Sequence, residues 1–200
     1  MSLALSLGIA AGVLQLVGFV FYNKQIFQGR SVPNAATWTI WAFIGLLNGF
    51  SYAAMTGDAA KYFLPVASAL ACVATFGYSL FAGKFKRLDL WDWLVLILGA
   101  IGGIVWWWSR SAAYANFIIV IAEIIAFSPL MRGVWKNPTL ERPLPWFIWT
   151  TAYGMNTAAV FLHWTNQYQD LFFPVSMIIL HLAVAFLSLR KSPALISVQQ

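Results

Sequence analysis

The sequence contains seven apolar stretches, each long enough to cross a lipid bilayer. They lie at about residues 3–21, 36–55, 60–82, 93–108, 113–131, 146–163 and 171–189. A membrane-spanning helix needs ~20 mostly apolar residues, and only helices or closed barrels satisfy the backbone inside lipid. These stretches are too continuous for the alternating strands of a barrel. The sequence therefore predicts an all-α membrane protein with seven transmembrane helices.

Composition excludes most other classes of protein. Only 9% of the residues are charged and 61% are hydrophobic, whereas soluble domains carry about a quarter charged residues. The single Cys72 excludes an internal disulfide framework, and two histidines with one cysteine offer no zinc-type spacing. We therefore expect no cofactor, no metal, no nucleic-acid partner and no enzymatic activity, with lipid as the surrounding solvent.

Lysine and arginine predict the orientation of the chain. Seven spans place the loops after the first, third and fifth spans on the side of the C-terminus. The basic residues on that side are Lys24, Arg30, Lys84, Lys86, Arg87, Arg132, Lys136, Arg142, Arg190 and Lys191. The other side holds only Lys61 and Arg110. The positive-inside rule then predicts a cytoplasmic C-terminus and an outer N-terminus. Because no basic residue precedes Lys24, the first stretch is expected to be a span rather than a signal peptide.

The two halves of the chain repeat each other. Trp38-Thr39-Ile40-Trp41, followed by Asn48, recurs 108 positions later as Trp146-Phe147-Ile148-Trp149, followed by Asn156. Further pairs at offsets of 108 or 109 are Gln15 with Glu123, Phe19 with Phe127 and Pro65 with Pro174.

These pairs predict a first triple-helix repeat at 1–83, a linker helix at 84–110, a second repeat at 111–191 and a cytoplasmic tail at 192–200. A single linker helix gives both repeats the same orientation, so the repeats are parallel.

The second repeat carries a resemblance to a known family. Ser128-Pro129-Leu130, then Asn137-Pro138-Thr139, then the segment from Trp146 to Asn156 are similar to the proline-led helix, polar loop and Trp/Asn helix of the SWEET and PQ-loop superfamily. Vitamin transporters of the PnuC type resemble the chain in architecture. The resemblance implies a 3+1+3 fold that moves a small metabolite, such as a sugar or vitamin, by alternating access. Members of the superfamily that carry sugars use prolines in the second and sixth spans as hinges, whereas the second and sixth apolar stretches of this sequence contain none.

The repeated motifs predict a substrate site. Trp41 and Asn48 share one helix face, and Trp149, Tyr153 and Asn156 share the equivalent face. Seven residues along a helix separate ring and amide by ~10 Å, which suits a small ring-bearing metabolite stacked on indole. Alternatively, the two asparagines hydrogen-bond neighbouring helices.

The outer indoles of the motifs have a simpler interpretation. Trp38 and Trp146 begin their spans, so we expect them to belong to the aromatic belt at the membrane interface. His163 and Asp170 lie where the sixth span ends and the seventh begins, and we expect both to be solvated.

Glu123 is the most informative single residue. It lies near the middle of the fifth stretch, where an acidic side chain costs ~2.5–3.5 kcal/mol. We expect it to bind substrate or carry a coupling proton, with Gln15 as its counterpart in the first repeat. The alternative is a structural bond, for example with Asn116. His181 lies in the middle of the seventh stretch, and we expect it to relay protons or to bind the substrate; the alternative is a histidine that only packs.

Pro65 and Pro174 occupy equivalent positions early in the third and seventh stretches. They either lie in the first helical turn, where no N–H is needed, or form flexible points for alternating access.

The sequence thus predicts a transporter of a small polar metabolite, as a facilitator or coupled to protons or Na+. The predicted substrate-binding residues are Trp41, Asn48, Trp149, Tyr153, Asn156, Gln15, Glu123 and His181. The predicted hinges are Pro65, Pro174 and Pro129. Two alternatives stay open: a proton-coupled amino-acid transporter, and a receptor that shares the fold without transporting. A monomer carries both repeats and suffices for either function, and a homo-oligomer is compatible with both.

Overall fold

A computed structural model describes residues 1–30, 35–82 and 90–190, and these residues form seven α-helices. The helices are α1 Leu3–Phe27, α2 Ala35–Thr56, α3 Ala59–Ala82, α4 Leu90–Ser109, α5 Ala112–Lys136, α6 Pro143–Leu162 and α7 Gln169–Ser188. A short 3-10 helix, Pro138–Leu140, follows α5. Each α-helix covers one predicted stretch, so the prediction of an all-α chain is confirmed.

Five of these helices are long and apolar enough to cross a membrane, namely α1, α3, α4, α5 and α7. The protein is therefore described as an all-α membrane protein. Helices α2 and α6, which carry the Trp–Asn motifs, have 22 and 20 residues but are not among the five. Their Trp, Tyr, Thr and Asn side chains lower the hydropathy of segments that are otherwise long enough.

Two helices continue beyond the predicted apolar stretches. Helix α1 runs six residues past Phe21 to Phe27, and α5 runs five residues past Met131 to Lys136. The extra residues include Lys24, Arg132 and Lys136, which end the apolar pattern. A helix satisfies its own backbone hydrogen bonds, so it can continue past such residues. The apolar pattern therefore predicted the apolar part of each of these two helices and not their full length.

The helices pack against one another as a bundle. Helix α1 packs on α3 and α6, α2 packs on α3 and α5, and α7 packs on α5 and α6. Helix α4 packs on α5 and α2 and is otherwise largely exposed. Small residues permit the closest approaches, as is common between membrane helices. At Gly8, for example, an added Cβ would lie 2.2 Å from the carbonyl oxygen of Ala60.

Polar residues collect at the two ends of the bundle. The N-terminal end, as we call it, holds Asp58, Lys61, His163 and Asp170, where Ser2 Oγ lies 3.4 Å from His163 Nε2. The basic end, opposite, holds the described cations Lys24, Arg30, Arg132, Lys136, Arg142 and Arg190. Lys84, Lys86, Arg87, Lys191 and the predicted tail lie outside the described residues.

Candidate functional site

The helices enclose a cavity of about 60 Å³ in the middle of the bundle. Its walls come from α1, α2, α3, α5, α6 and α7. Seven of the eight predicted substrate-binding residues line it, namely Gln15, Trp41, Asn48, Glu123, Trp149, Tyr153 and His181. Asn156 is not among the lining residues, whereas Pro65 is. The structure thus brings together side chains from both repeated motifs around one space.

Aromatic rings on opposite sides of the cavity make matched contacts. Phe19 packs on Trp149 with ring centroids 4.9 Å apart, and Phe127 packs on Trp41 at 5.0 Å. Phe19 and Phe127 are 108 positions apart, as are Trp41 and Trp149. Each phenylalanine therefore packs on the inner tryptophan of the other half.

The outer tryptophans are buried, so the prediction that they are interfacial anchors is wrong. Trp38 is 4% exposed and Trp146 is 1% exposed. The Trp41 and Trp146 rings meet edge to face at 6.3 Å, and Trp146 packs on Trp149 at 5.1 Å. The two motifs thereby join into one aromatic cluster. The cluster buries the large tryptophan rings, whereas a position at the membrane–water interface would leave them half exposed.

Gln15 connects the cavity wall to α3 and α6. Its Nε2 donates to Ser68 Oγ over 3.0 Å, and its backbone carbonyl accepts from Trp149 Nε1 over 3.1 Å. Its Oε1 is buried and has no hydrogen-bond partner among the residues that the structure describes. Because a buried oxygen without a partner is costly, this atom is a natural position for a ligand donor.

Glu123 is half-buried in α5, and within the described part of the chain its Oε2 has no hydrogen-bond partner. The structural alternative predicted Asn116 as that partner, but Asn116 donates to Asn48 Oδ1 over 2.8 Å and to Ser51 Oγ over 3.0 Å. Those bonds tie α5 to α2 and hold the Asn48 amide. Glu123 is left with an unpaired acceptor at the cavity.

His181 contacts the cluster as an aromatic ring. It lies 5.1 Å from the Tyr153 ring and 5.7 Å from the Trp149 ring, measured between centroids. Its Nδ1 lies 2.8 Å from the carbonyl oxygen of Met177. A carbonyl only accepts, so Nδ1 carries the proton, and in the neutral ring Nε2 is an acceptor.

Asn156 has a different environment from its counterpart Asn48. It is fully buried, and its Nδ2 donates to the carbonyl oxygen of Lys61 over 2.9 Å. This is the interhelical bond that the alternative interpretation predicted. A substrate contact for Asn156 stays a prediction.

The unpaired atoms at the cavity are mostly acceptors. Gln15 Oε1 and Glu123 Oε2 lack partners, while Trp149 Nε1 is engaged. A ligand that donates hydrogen bonds would satisfy these oxygens. The volume is far below the ~300–1,000 Å³ of typical small-molecule pockets, so a ring-bearing ligand requires the surrounding helices to move apart.

A buried ion pair lies at the N-terminal end. Lys61 Nζ lies 2.6 Å from Asp170 Oδ2, and the two side chains are 1% and 3% exposed. Lys61 also donates to Thr165 Oγ1 over 3.2 Å. The prediction that Asp170 is solvated is wrong, because the lysine of α3 compensates its charge inside the protein. The sequence placed both residues at the same end but did not reveal that they pair.

Pro65 and Pro174 lie beyond the first turns of α3 and α7, as the seventh and sixth residues of those helices. The first-turn interpretation is therefore wrong. A proline leaves the carbonyl four residues earlier without its helical donor. The Lys61 carbonyl accepts from Asn156, and the Asp170 carbonyl accepts from the Tyr52 hydroxyl over 2.6 Å. In both cases the donor lies in the other half of the chain. Pro129 lies inside α5, away from the cavity lining.

Glu141 lies at the basic end, between the 3-10 helix and α6, and accepts from Trp146 Nε1 over 3.1 Å. Burial raises the pKa of its carboxyl to about 7, against the lowering effect of hydrogen bonds from Trp146 and Tyr22. The predicted site did not include this residue, because a glutamate in a polar loop carries no sequence signal of burial.

Comparison with models of protein families, with curated proteins and with solved structures finds no match.

Proposed function

We propose that the protein is a seven-span transporter that moves a small polar, ring-bearing metabolite by alternating access through the central cavity. The main support for this proposal is that equivalent residues of two similar half-chains surround one cavity, and that some of their polar atoms are unpaired within the described part of the chain. The half-chains would form two parallel triple-helix repeats joined by α4, with the N-terminus outside. The matched contacts of Phe19 and Phe127 with the opposite tryptophans support this arrangement.

The N-terminal end would form the outer gate. The Lys61–Asp170 pair joins α3 of one half to α7 of the other. Burying two charges costs several kcal/mol of desolvation, which their attraction roughly offsets. When the end opens, water replaces the lost attraction, so the closed and open states have similar free energies. A pair of this kind suits a gate better than a permanent structural bond.

The substrate chemistry follows from the cavity wall. Trp41, Trp149 and Tyr153 offer ring surfaces, and Gln15 and Glu123 offer unpaired oxygens. A ring-bearing molecule with hydroxyl or amine donors, such as a sugar or a vitamin, satisfies both properties. Asn48 and His181 would complete the polar contacts, and the substrate would enter once the cavity widens.

Glu123 supports ion coupling as a second role. An unpaired carboxyl oxygen in a membrane helix is costly, and a proton or a substrate donor relieves that cost. The proton-coupled amino-acid transporter is the second candidate function on this observation. In either case Gln15, its counterpart, cannot ionise, so coupling would reside in one half of the chain.

Counterflow in proteoliposomes tests the proposal. Sugars, vitamins or nucleosides, and amino acids are offered as labelled substrates, and one class should exchange across the bilayer. Asn48→Ala should raise the KM of that exchange at least several-fold, because Asn48 lines the cavity. Asn156→Ala is the comparison. A rise in KM supports the predicted substrate contact of Asn156. A loss of stability without a change in KM indicates that Asn156 serves only to bond the Lys61 carbonyl.

Two experiments separate the rival functions and the possible roles of Glu123. A substrate that binds to the purified protein without any exchange would support a receptor and overturn transport. Glu123→Gln separates coupling from binding. Lost accumulation against a gradient with normal counterflow assigns the proton role, and lost counterflow assigns the substrate role.

A further inference from the structure

A groove of about 630 Å³ lies between α5 and α7 at the basic end. Its eight lining residues comprise three cations, Arg132, Lys136 and Arg190, and five apolar residues. None of those eight residues is acidic. The groove therefore combines positive charge and apolar surface within one concave site.

The three cations converge from two helices. Arg132 and Lys136 are four residues apart in α5 and share a face. Arg190 follows α7, and its Nη2 donates to the backbone carbonyls of Val134 and Trp135 at the end of α5. Its guanidinium also lies 4.3 Å from the centroid of the Trp135 ring. Arg190 is thereby held in a fixed position, which lowers the entropic cost of binding an anion.

The apolar part of the groove faces the surroundings of the helices. Trp135 is 63% exposed and Phe186 is 57% exposed. Both α5 and α7 are long and apolar enough to cross a membrane, so we expect exposed apolar side chains near the ends of these helices to lie at the lipid interface. A free phosphate ion would occupy the cations and leave this apolar wall uncovered, whereas a phospholipid would cover both.

We propose that this groove binds one anionic phospholipid, with its phosphate at Arg132, Lys136 and Arg190 and an acyl chain against Met131 and Phe186. Basic pockets between transmembrane helices are suited to such headgroups. The bound lipid would bridge α5, which carries Glu123, and α7, which carries His181. This inference goes beyond the proposed function and does not depend on it.

The charge requirement is tested with the full-length protein in neutral detergent. Phosphatidylglycerol binding is measured by native mass spectrometry and by the rise in Tm, with phosphatidylcholine and inorganic phosphate as separate arms. The double variant Arg132→Gln/Lys136→Gln should lose roughly 30-fold in apparent affinity, at about 1 kcal/mol per cation. Arg190 stays unchanged because it also binds the end of α5.

The matched control removes two cations from the same end but outside the groove, as Lys24→Gln/Arg142→Gln, and should bind phosphatidylglycerol like the parent. Arg132 also stacks on Trp91, 5.2 Å from that ring centroid, so Lys136→Gln alone provides the test if the double variant does not fold. Ala183→Trp should weaken lipid binding without changing the charge, because it fills the groove.

Three results would overturn the proposal. One is equal loss of binding in the groove and control variants, which indicates general surface charge. The second is an equal rise in Tm with phosphatidylcholine. The third is an equal rise with inorganic phosphate alone, which indicates an anion site without a lipid.

Discussion

Lys61 and Asp170 form a buried ion pair at 2.6 Å and occupy equivalent positions in the two halves of the chain. The offset of 109 that aligns Pro65 with Pro174 also aligns residue 61 with residue 170. Each charged residue precedes its proline by four positions, and each backbone carbonyl accepts a hydrogen bond from the opposite half. In each half, the residue at this position thus contributes a charged side chain to the contact with the other half. It also contributes a backbone carbonyl, which the proline four residues later leaves without a helical donor.

Removing one member of this pair should open the N-terminal end and destabilise the fold. In Lys61→Met the Asp170 carboxylate loses its partner, and breaking a buried pair costs about 3–5 kcal/mol. We expect a lower Tm in detergent. We also expect faster labelling by a water-soluble maleimide of a cysteine placed at the buried Ala60 position in a Cys72→Ala background.

The charge-swapped double variant Lys61→Asp/Asp170→Lys is the control and should recover much of the lost Tm. Asp58→Asn provides the second control, because Asp58 pairs with His163 through side chains that are 27% and 39% exposed. Surface pairs of this kind contribute little. If Lys61→Met and Asp58→Asn have the same small effect, the buried pair does not hold this end closed.

Pro65→Ala should stabilise the protein and slow the proposed transport. The new N–H at position 65 can bond the Lys61 carbonyl, which now accepts from Asn156. A continuous helix is more stable than one interrupted by proline, by about 3 kcal/mol in a helix interior, but the bond between the halves would be lost. Tm and the turnover number are the measurements.

A double-mutant cycle tests whether the new N–H at position 65 acts by displacing the Asn156 amide from the Lys61 carbonyl. In an Asn156→Ala background there is no amide to displace, so Pro65→Ala should then change turnover much less. Equal effects of Pro65→Ala in both backgrounds would show that the proline acts through helix shape alone. Pro174→Ala with Tyr52→Phe repeats the comparison in the other half.

Gly18→Ala should damage the cavity wall. An added Cβ would lie 2.3 Å from Trp149 Nε1, so the indole has to move and its bond to the Gln15 carbonyl breaks. Overpacking of this kind costs about 1–3 kcal/mol. We expect a lower Tm and a higher KM in counterflow.

Gly154→Ala on α6 is the matched control, since its Cβ would meet no atom within 4 Å. It should leave Tm and KM close to those of the parent. Parental behaviour of Gly18→Ala would mean that the position of Trp149 does not matter for function.

The sequence predicted the helices well because apolar length is a local property. It did not predict partners, since partner choice depends on which helices pack together. Asp170 illustrates this: it lies at the start of an apolar stretch, where solvation is the usual outcome, and only the approach of α3 buries it against Lys61. Trp38 was misassigned for the same reason, because a tryptophan at a helix start fits both a membrane interface and an aromatic core.

The repeat carried more information about the site than composition did. Equivalent residues from the two halves, such as Gln15 and Glu123, line the same cavity. The exception is Asn156, which bonds the Lys61 carbonyl although Asn48 lines the cavity. A repeat predicts equivalent positions, but it does not predict that equivalent side chains meet equivalent partners: Asn48 accepts from Asn116, whereas Asn156 donates to the Lys61 carbonyl.

Glu141 should make stability depend on pH at the basic end. Burial raises the pKa of its carboxyl from the ordinary value of 4.5 to about 7 in the folded protein. Between these two values the folded state binds more protons than the unfolded state. The free energy of unfolding contributed by Glu141 is therefore greatest below pH 4.5 and falls as the pH rises through 7.

The Glu141→Gln variant should remove this slope, because glutamine stays neutral and can still accept from Trp146 Nε1. Tm in detergent, measured at intervals from about pH 5 to pH 8, should fall more steeply for the parent than for the variant. The variant should be the more stable protein at pH 8, where the buried carboxyl of the parent is ionised. Parallel curves for the two proteins would mean that Glu141 keeps one protonation state throughout this range. A difference between the curves assigns the titration to this carboxyl, because every other ionisable group is common to both proteins.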